Sequence, residues 1–228
     1  MNQHEVGFHG FPRELPEFLF SLQFNNTVEG LPETKPMYKR LITEPLLQLF
    51  YALEPAALSV SDTLVTKPSR CVSTMYTDMR FSKTAPLKEY MYIRFREPNC
   101  QQDILGLYFD MGREHYSYGI RIYKQTSAGM ERIRRGIIDN QHAFTKALQG
   151  LNVLEMTVKG DKYAKDRYAD INNPAIRELL NHRNFYIGRD RPINEGIFNS
   201  ELAKEISSAF IGLKDMYQST KKAMLISI

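Results

Sequence analysis

The run Thr74-Met75-Tyr76-Thr77-Asp78-Met79-Arg80-Phe81-Ser82-Lys83, followed closely by Tyr90-Met91-Tyr92-Ile93-Arg94-Phe95, decides the fold class. Side chains on a strand alternate between faces, so a period of two sorts the first run into Met75, Met79 and Phe81 against Tyr76, Asp78 and Arg80. The second run divides likewise, with Met91, Ile93 and Phe95 on one face and Tyr90, Tyr92 and Arg94 on the other. Leu105, Leu107 and Phe109 continue the apolar face, and Tyr108 the polar one. The spacing predicts strands over Val72–Phe81, Glu89–Arg96, Ile104–Met111 and Tyr116–Lys124. The turns between them, Thr84-Ala85-Pro86, Glu97-Pro98-Asn99 and Gly112-Arg113-Glu114, are short, which favours an antiparallel meander with one greasy and one polar, aromatic face.

Helical periods flank this segment on both sides. Pro12 presets the first turn of a helix whose inner face is Leu15, Phe18, Leu19 and Leu22, ended by Asn25-Asn26. A second helix starts near Thr34 and carries Leu41, Ile42, Leu46, Leu49, Phe50 and Leu53, with a kink expected at Pro45 and a stop at Pro55. After Ser127 the helical period returns in Met130, Ile133 and Ile137, then in Phe144, Ala147 and Leu148, with Gly150 as a stop. Leu151 to Val158 is expected as a strand, Lys159 to Asn173 as a surface loop, and Asn173-Pro174 as the start of a short helix. Phe185-Tyr186-Ile187 reads as a strand, and Asn199-Ser200 caps a last helix with Leu202, Ile206, Phe210, Leu213 and Tyr217 inside. Helices, then strands, then helices, with no repeat and no low-complexity linker, give a single α+β domain over 1–228 whose antiparallel sheet is flanked by N- and C-terminal helices.

Composition narrows the function classes. The chain has 228 residues, 43% hydrophobic and 25% charged, enough for a sizeable core. Two cysteines, Cys71 and Cys100, are too few for a disulfide framework, and with no signal-like or membrane-spanning run the expected location is the cytoplasm. A net charge of +4, scattered between acids, makes nucleic acid a disfavoured partner and gives no reason to expect a membrane. His4, His9, His115, His142 and His182 show no metal-binding spacing, and no GxSxG, Walker or GxGxxG motif occurs. Neither a metal nor a cofactor is expected, and the oligomeric state stays open.

The stretch Pro68 to Lys83, together with its neighbours, resembles a bacterial family known as domain of unknown function 2461, whose hallmark is arginine-x-x-arginine-aspartate-x-arginine-phenylalanine, followed by lysine and a proline turn. Asp78, Arg80, Phe81, Ser82, Lys83 and Pro86 match it, whereas Thr74 and Thr77 stand where the family has its leading arginines. Phe8 to Phe11, Asn25-Asn26, Tyr118-Gly119, Asn173-Pro174 and Phe185-Tyr186-Ile187-Gly188-Arg189 match further, so the likeness runs over nearly the whole chain. It implies fold continuity and a site location but no activity. Loss of two guanidinium groups removes strong bidentate anion donors, so a family anion site would be altered here.

The expected site is a polar sheet face for a small anionic or polar ligand, centred on Asp78 and Arg80 and drawing on Tyr76, Lys83, Tyr92, Arg94, Tyr118 and Arg189. If the protein is an enzyme, Asp78 is the candidate general base or ligand-orienting acid and Arg80 the electrostatic clamp. The bland alternative is a structural ion pair facing water, with tyrosines that merely suit a half-covered strand. Another class of function is a nucleic-acid or protein-binding module using a Tyr-rich sheet as a platform. A third is an interaction protein whose tail, Ala223 to Ile228, docks on a partner.

Overall fold

The computed structural model describes residues 7–78, 80, 85–98 and 101–225. Five antiparallel strands, β1 (Met91–Arg96), β2 (Ile104–Met111), β3 (His115–Tyr123), β4 (Thr157–Lys159) and β5 (Tyr186–Pro192), form one sheet in the order β1-β2-β3-β5-β4. The expected meander is therefore β1-β2-β3, and β5 and β4 extend it. Helices α1 (Leu15–Asn25), α2 (Leu31–Tyr38), α3 (Glu44–Val60) and α4 (Pro68–Cys71) precede the sheet in sequence. Helices α5 (Ser127–Asp139) and α6 (Gln141–Val153) lie between β3 and β4, α7 (Pro174–Leu180) between β4 and β5, and α8 (Glu201–Gly212) and α9 (Lys214–Met224) follow β5. The fold is α+β.

The apolar strand face is the floor of the core. Met91, Ile93, Phe95, Leu105, Leu107 and Phe109 are all buried, and the Phe95 ring stacks on Phe50 of α3 and meets Phe210 of α8 edge-on. Burying a side chain of this size contributes about 1.5–3 kcal/mol, so this face orients the sheet and leaves its other face outward. The predicted inner faces of the helices are also buried, from Leu15, Phe18, Leu19 and Leu22 of α1 to Leu202, Ile206 and Phe210 of α8. No helix among the described residues is long and apolar enough to cross a membrane.

Several expectations are corrected. The chain from Val72 to Asp78 is not a regular strand: it is a ribbon whose start lies against β1 through an isolated bridge at Val72–Ile93 and whose later part pairs with the segment leading into β1 through a bridge at Tyr76–Leu87. Its backbone bonds include Ser73 N–H to the Tyr92 carbonyl, Thr77 N–H to the Pro86 carbonyl and Lys88 N–H to the Met75 carbonyl, each at 2.9 Å, and the pairing at Thr77 is one-sided because Pro86 has no N–H to return. The lower half of the predicted strand, at Met79 and from Phe81 to Thr84, lies outside the described residues, as do Lys83, Cys100 and the last three residues of the proposed docking tail. Pro45 does not break its helix. The chain passes through one π-helical turn, Lys39–Thr43, whose wider ring accommodates the missing donor. Pro55 likewise sits exposed inside α3, which runs on to Val60. Gly150 does not stop α6, because Leu151 extends the inner face of Phe144 and Ala147, and the strand expected over Leu151–Val158 shrinks to Thr157–Lys159. The predicted last helix divides at Leu213 into α8 and α9.

Candidate functional site

Strand register assembles the outward face in three rungs. Tyr92, Asp110, Ser117 and Asp190 form the first; Arg94, Tyr108, Gly119, Gly188 and Thr157 the second; Arg96, Gly106, Arg121, Tyr186 and Lys159 the third. The second rung has two glycines in a row, which leave bare backbone beside the Tyr108 ring. A Cβ on Gly188 would stand 2.3 Å from the Tyr108 hydroxyl, so this phenol lies flat across β3 onto β5 and is only 1% exposed. Gly119 has φ +155° and backs onto the Ile187 carbonyl, a conformation that a side chain would strain.

At the centre is Asp110, 4% exposed. Its Oδ2 accepts from Arg121 Nη1 at 3.3 Å, and Arg94 Nε stands 3.9 Å from its Oδ1. Burial pushes the carboxyl above its usual range, against the Tyr90 hydroxyl and the two guanidinium groups, which pull it down. Cations and rings alternate outward from this acid. Arg94 lies 3.6 Å over Tyr92 and 5.1 Å from Tyr123, while Arg121 sits between Tyr108 at 5.7 Å and Tyr186 at 5.0 Å. Lys88 and Lys159 extend the series over Tyr92 and Tyr186. Four polar atoms in this cluster, Arg94 Nε, Asp110 Oδ1, Tyr108 OH and Tyr123 OH, are buried without a hydrogen-bond partner among the described residues. Such atoms cost free energy unless something completes them. Of these four residues Asp110 lines a cavity of about 640 Å³, together with Tyr90, Arg113, Ser117, Tyr186 and Asp190 among others. The two flanking guanidinium groups oppose a cation at Asp110, so this donor and acceptor set suits an organic ligand rather than a metal ion.

The residues singled out from sequence divide into three groups. Tyr92 and Arg94 fall on the outward face beside Asp110. Tyr118 and Arg189 do not: they point to the helix side, where Tyr118 donates to Glu205 Oε1 of α8 at 2.6 Å and Arg189 pairs with Glu155 and Glu205. They tie the sheet to α8 and belong to the core side of the molecule. Tyr76 and Asp78 are on the ribbon and Arg80 lies just beyond it, all off the sheet. Arg80 holds Asp78 through Nε at 2.9 Å and Nη2 at 2.5 Å, an arrangement that keeps the carboxyl below its usual range, and the two side chains are 83% and 43% exposed. Tyr76 is exposed and faces Lys35 of α2. Of the asparagine pair noticed in the sequence, Asn26 has a structural task, since its buried carboxamide bonds both the N–H and the carbonyl of Leu87 and fixes the segment leading into β1 to the end of α1.

Asp110, Arg121, Tyr123 and Tyr186 were not singled out. Asp110 lies in the run Leu105-Gly106-Leu107-Tyr108-Phe109-Asp110, where the period of two already puts it beside Tyr108. Glycines inside three strands, Gly106, Gly119 and Gly188, were a second signal, because strand glycines mark close approach over their faces.

No curated protein matches the chain. Residues 14–218, which contain every strand and most of the helices, match one family model, and the chain belongs to the family described as conserved hypothetical protein, DUF2461.

Proposed function

We propose that the outward sheet face binds a small polar ligand that offers a carboxylate or phosphate to Arg94 and Arg121 and a hydrogen-bond donor to Asp110. The observation that carries this reading is a nearly buried carboxylate between two guanidinium groups, with unpartnered polar atoms next to a cavity of about 640 Å³. It keeps the ligand class expected from sequence and moves the centre from Asp78 and Arg80 to Asp110. If a reaction occurs there, the raised carboxyl of Asp110 suits proton transfer, and the guanidinium pair suits stabilising negative charge. A cytoplasmic location goes with this reading, supported by the low cysteine content and by a buried, unbridged Cys71 thiol whose pKa burial pushes up to about 11.

Thermal shift across a panel of carboxylate and phosphate metabolites tests the proposal. At least one compound should stabilise the parent protein, Arg121→Ala should lose that response, and Arg80→Ala should keep it. If the parent responds to no compound, or Arg121→Ala responds like the parent, the proposal fails.

A nucleic-acid platform has one observation in its favour, the alternation of cations and tyrosines on an open face. Against it, the Tyr92 ring is already covered by Arg94 and Tyr108 is buried, so few ring faces are left for bases. Salt-sensitive gel-shift binding of an oligonucleotide, lost in Arg121→Ala, would reverse the preference.

A further inference from the structure

A second cavity lies away from the Asp110 cluster, where the C-terminal part of α6 and the start of α7 face β4. Its volume is about 950 Å³, and Gln149, Asn152, Asn172, Met156, Val158 and His182 are in its wall. His182 is only 1% exposed, and its Nδ1 stands 3.0 Å from the Glu178 carbonyl. A carbonyl can only accept, so Nδ1 carries the ring proton. Desolvation lowers the pKa of the ring, which keeps it neutral and makes Nε2 a pure acceptor. That Nε2 is buried with no hydrogen-bond partner among the described residues.

The rest of the wall indicates what would complete it. The side-chain amides of Gln149, Asn152 and Asn172 make no hydrogen bond within the described residues, and each offers both a donor and an acceptor. Among the described residues the one charged side chain in the wall is Glu178, and Lys162 holds its carboxylate. A charged ligand would find no uncommitted counter-charge. Met156, Leu148, Leu151 and Val158 supply aliphatic surface between the polar groups. Hydroxyl groups match such a wall, because each gives and takes one hydrogen bond while the carbon skeleton covers apolar atoms.

We infer that this cleft is a binding site for a neutral polyhydroxylated small molecule of the sugar or polyol class, with a ligand hydroxyl donating to His182 Nε2. The argument for the site does not use the Asp110 cluster, and the two cavities share no lining residue, although Thr157 at the far end of the second rung also borders this one. Glucose, maltose, myo-inositol and glycerol, titrated at millimolar concentration into the full-length protein labelled with ¹⁵N in its histidines, provide the test. At least one of them should shift the His182 Nε2 resonance saturably. The exposed pair Asn152→Ala and Asn172→Ala, introduced together, should weaken that binding about tenfold while leaving the unliganded melting temperature unchanged. The inference is overturned if none of the four moves the resonance, if the double variant binds as the parent does, or if only charged sugar phosphates bind.

Discussion

Two acid and guanidinium groups in this chain use the same residue types in opposite settings. Asp78 and Arg80 are two residues apart, pair with each other at the end of a ribbon, and face water. Asp110, Arg94 and Arg121 come from three strands, 16 residues apart on one side and 11 on the other, and meet inside the sheet. In the first group solvent screens the charges and lowers the carboxyl only through the local bond. In the second, loss of water dominates and raises it. Proximity in sequence produced a satisfied pair, and proximity by register produced an incomplete one.

The sharpest way to break this contrast is truncation of the two acids. Asp110→Ala should destabilise the protein by about 2–3 kcal/mol in a denaturant titration, below the full cost of splitting a buried pair because both guanidinium groups still reach water. Asp78→Ala should leave the midpoint unchanged. Equal losses would mean that the two groups do not differ as their burial implies.

A smaller effect is expected from Gly188→Ala, which would press a methyl group against the Tyr108 hydroxyl. The ring must tilt, at a cost of about 1–2 kcal/mol, and ligand response at Asp110 should weaken with it. Unaltered melting would show that Tyr108 does not hold the second rung together.

The smallest effect, and the most diagnostic, is in pH dependence. The folded state holds the Asp110 proton more tightly than the unfolded chain, whose carboxyl titrates near the ordinary value of 3.8. The contribution of this group is therefore most favourable at pH below 3.8 and declines as pH rises through the raised folded value. Compared with Asp110→Asn, which cannot titrate, the parent should lose stability across that window. A gain instead would mean that Arg94 and Arg121 solvate the carboxylate better than water does.

Legibility followed the range of the interactions. The period of two and the period of 3.6 belong to single elements, so β2 is legible at its observed ends, as are the buried face of α1 residue by residue and the large buried side chains of α8, though not its buried Ala203 and Ala209. Pro55 and Gly150 were misread because tertiary packing of α3 and α6 outweighs a local breaker. The site was half legible for a related reason. Tyr92 and Arg94 follow from strand parity, but Arg121 joins Asp110 only through the β2–β3 register, with Ser117 opposite Asp110. Tyr118 and Arg189 were misplaced through the same gap, since the opposite parity turns them toward α8.

The two margins of the sheet have a consequence for the protein in bulk. One is lined by the Val72–Asp78 ribbon along β1, and the other is β4, three residues long and ending in Lys159. Among the described residues neither presents a long, flat row of unpaired backbone groups, so a second copy finds little template there for strand-on-strand growth. A tyrosine-rich, half-open sheet would otherwise invite fibrous aggregation, and here the architecture discourages it.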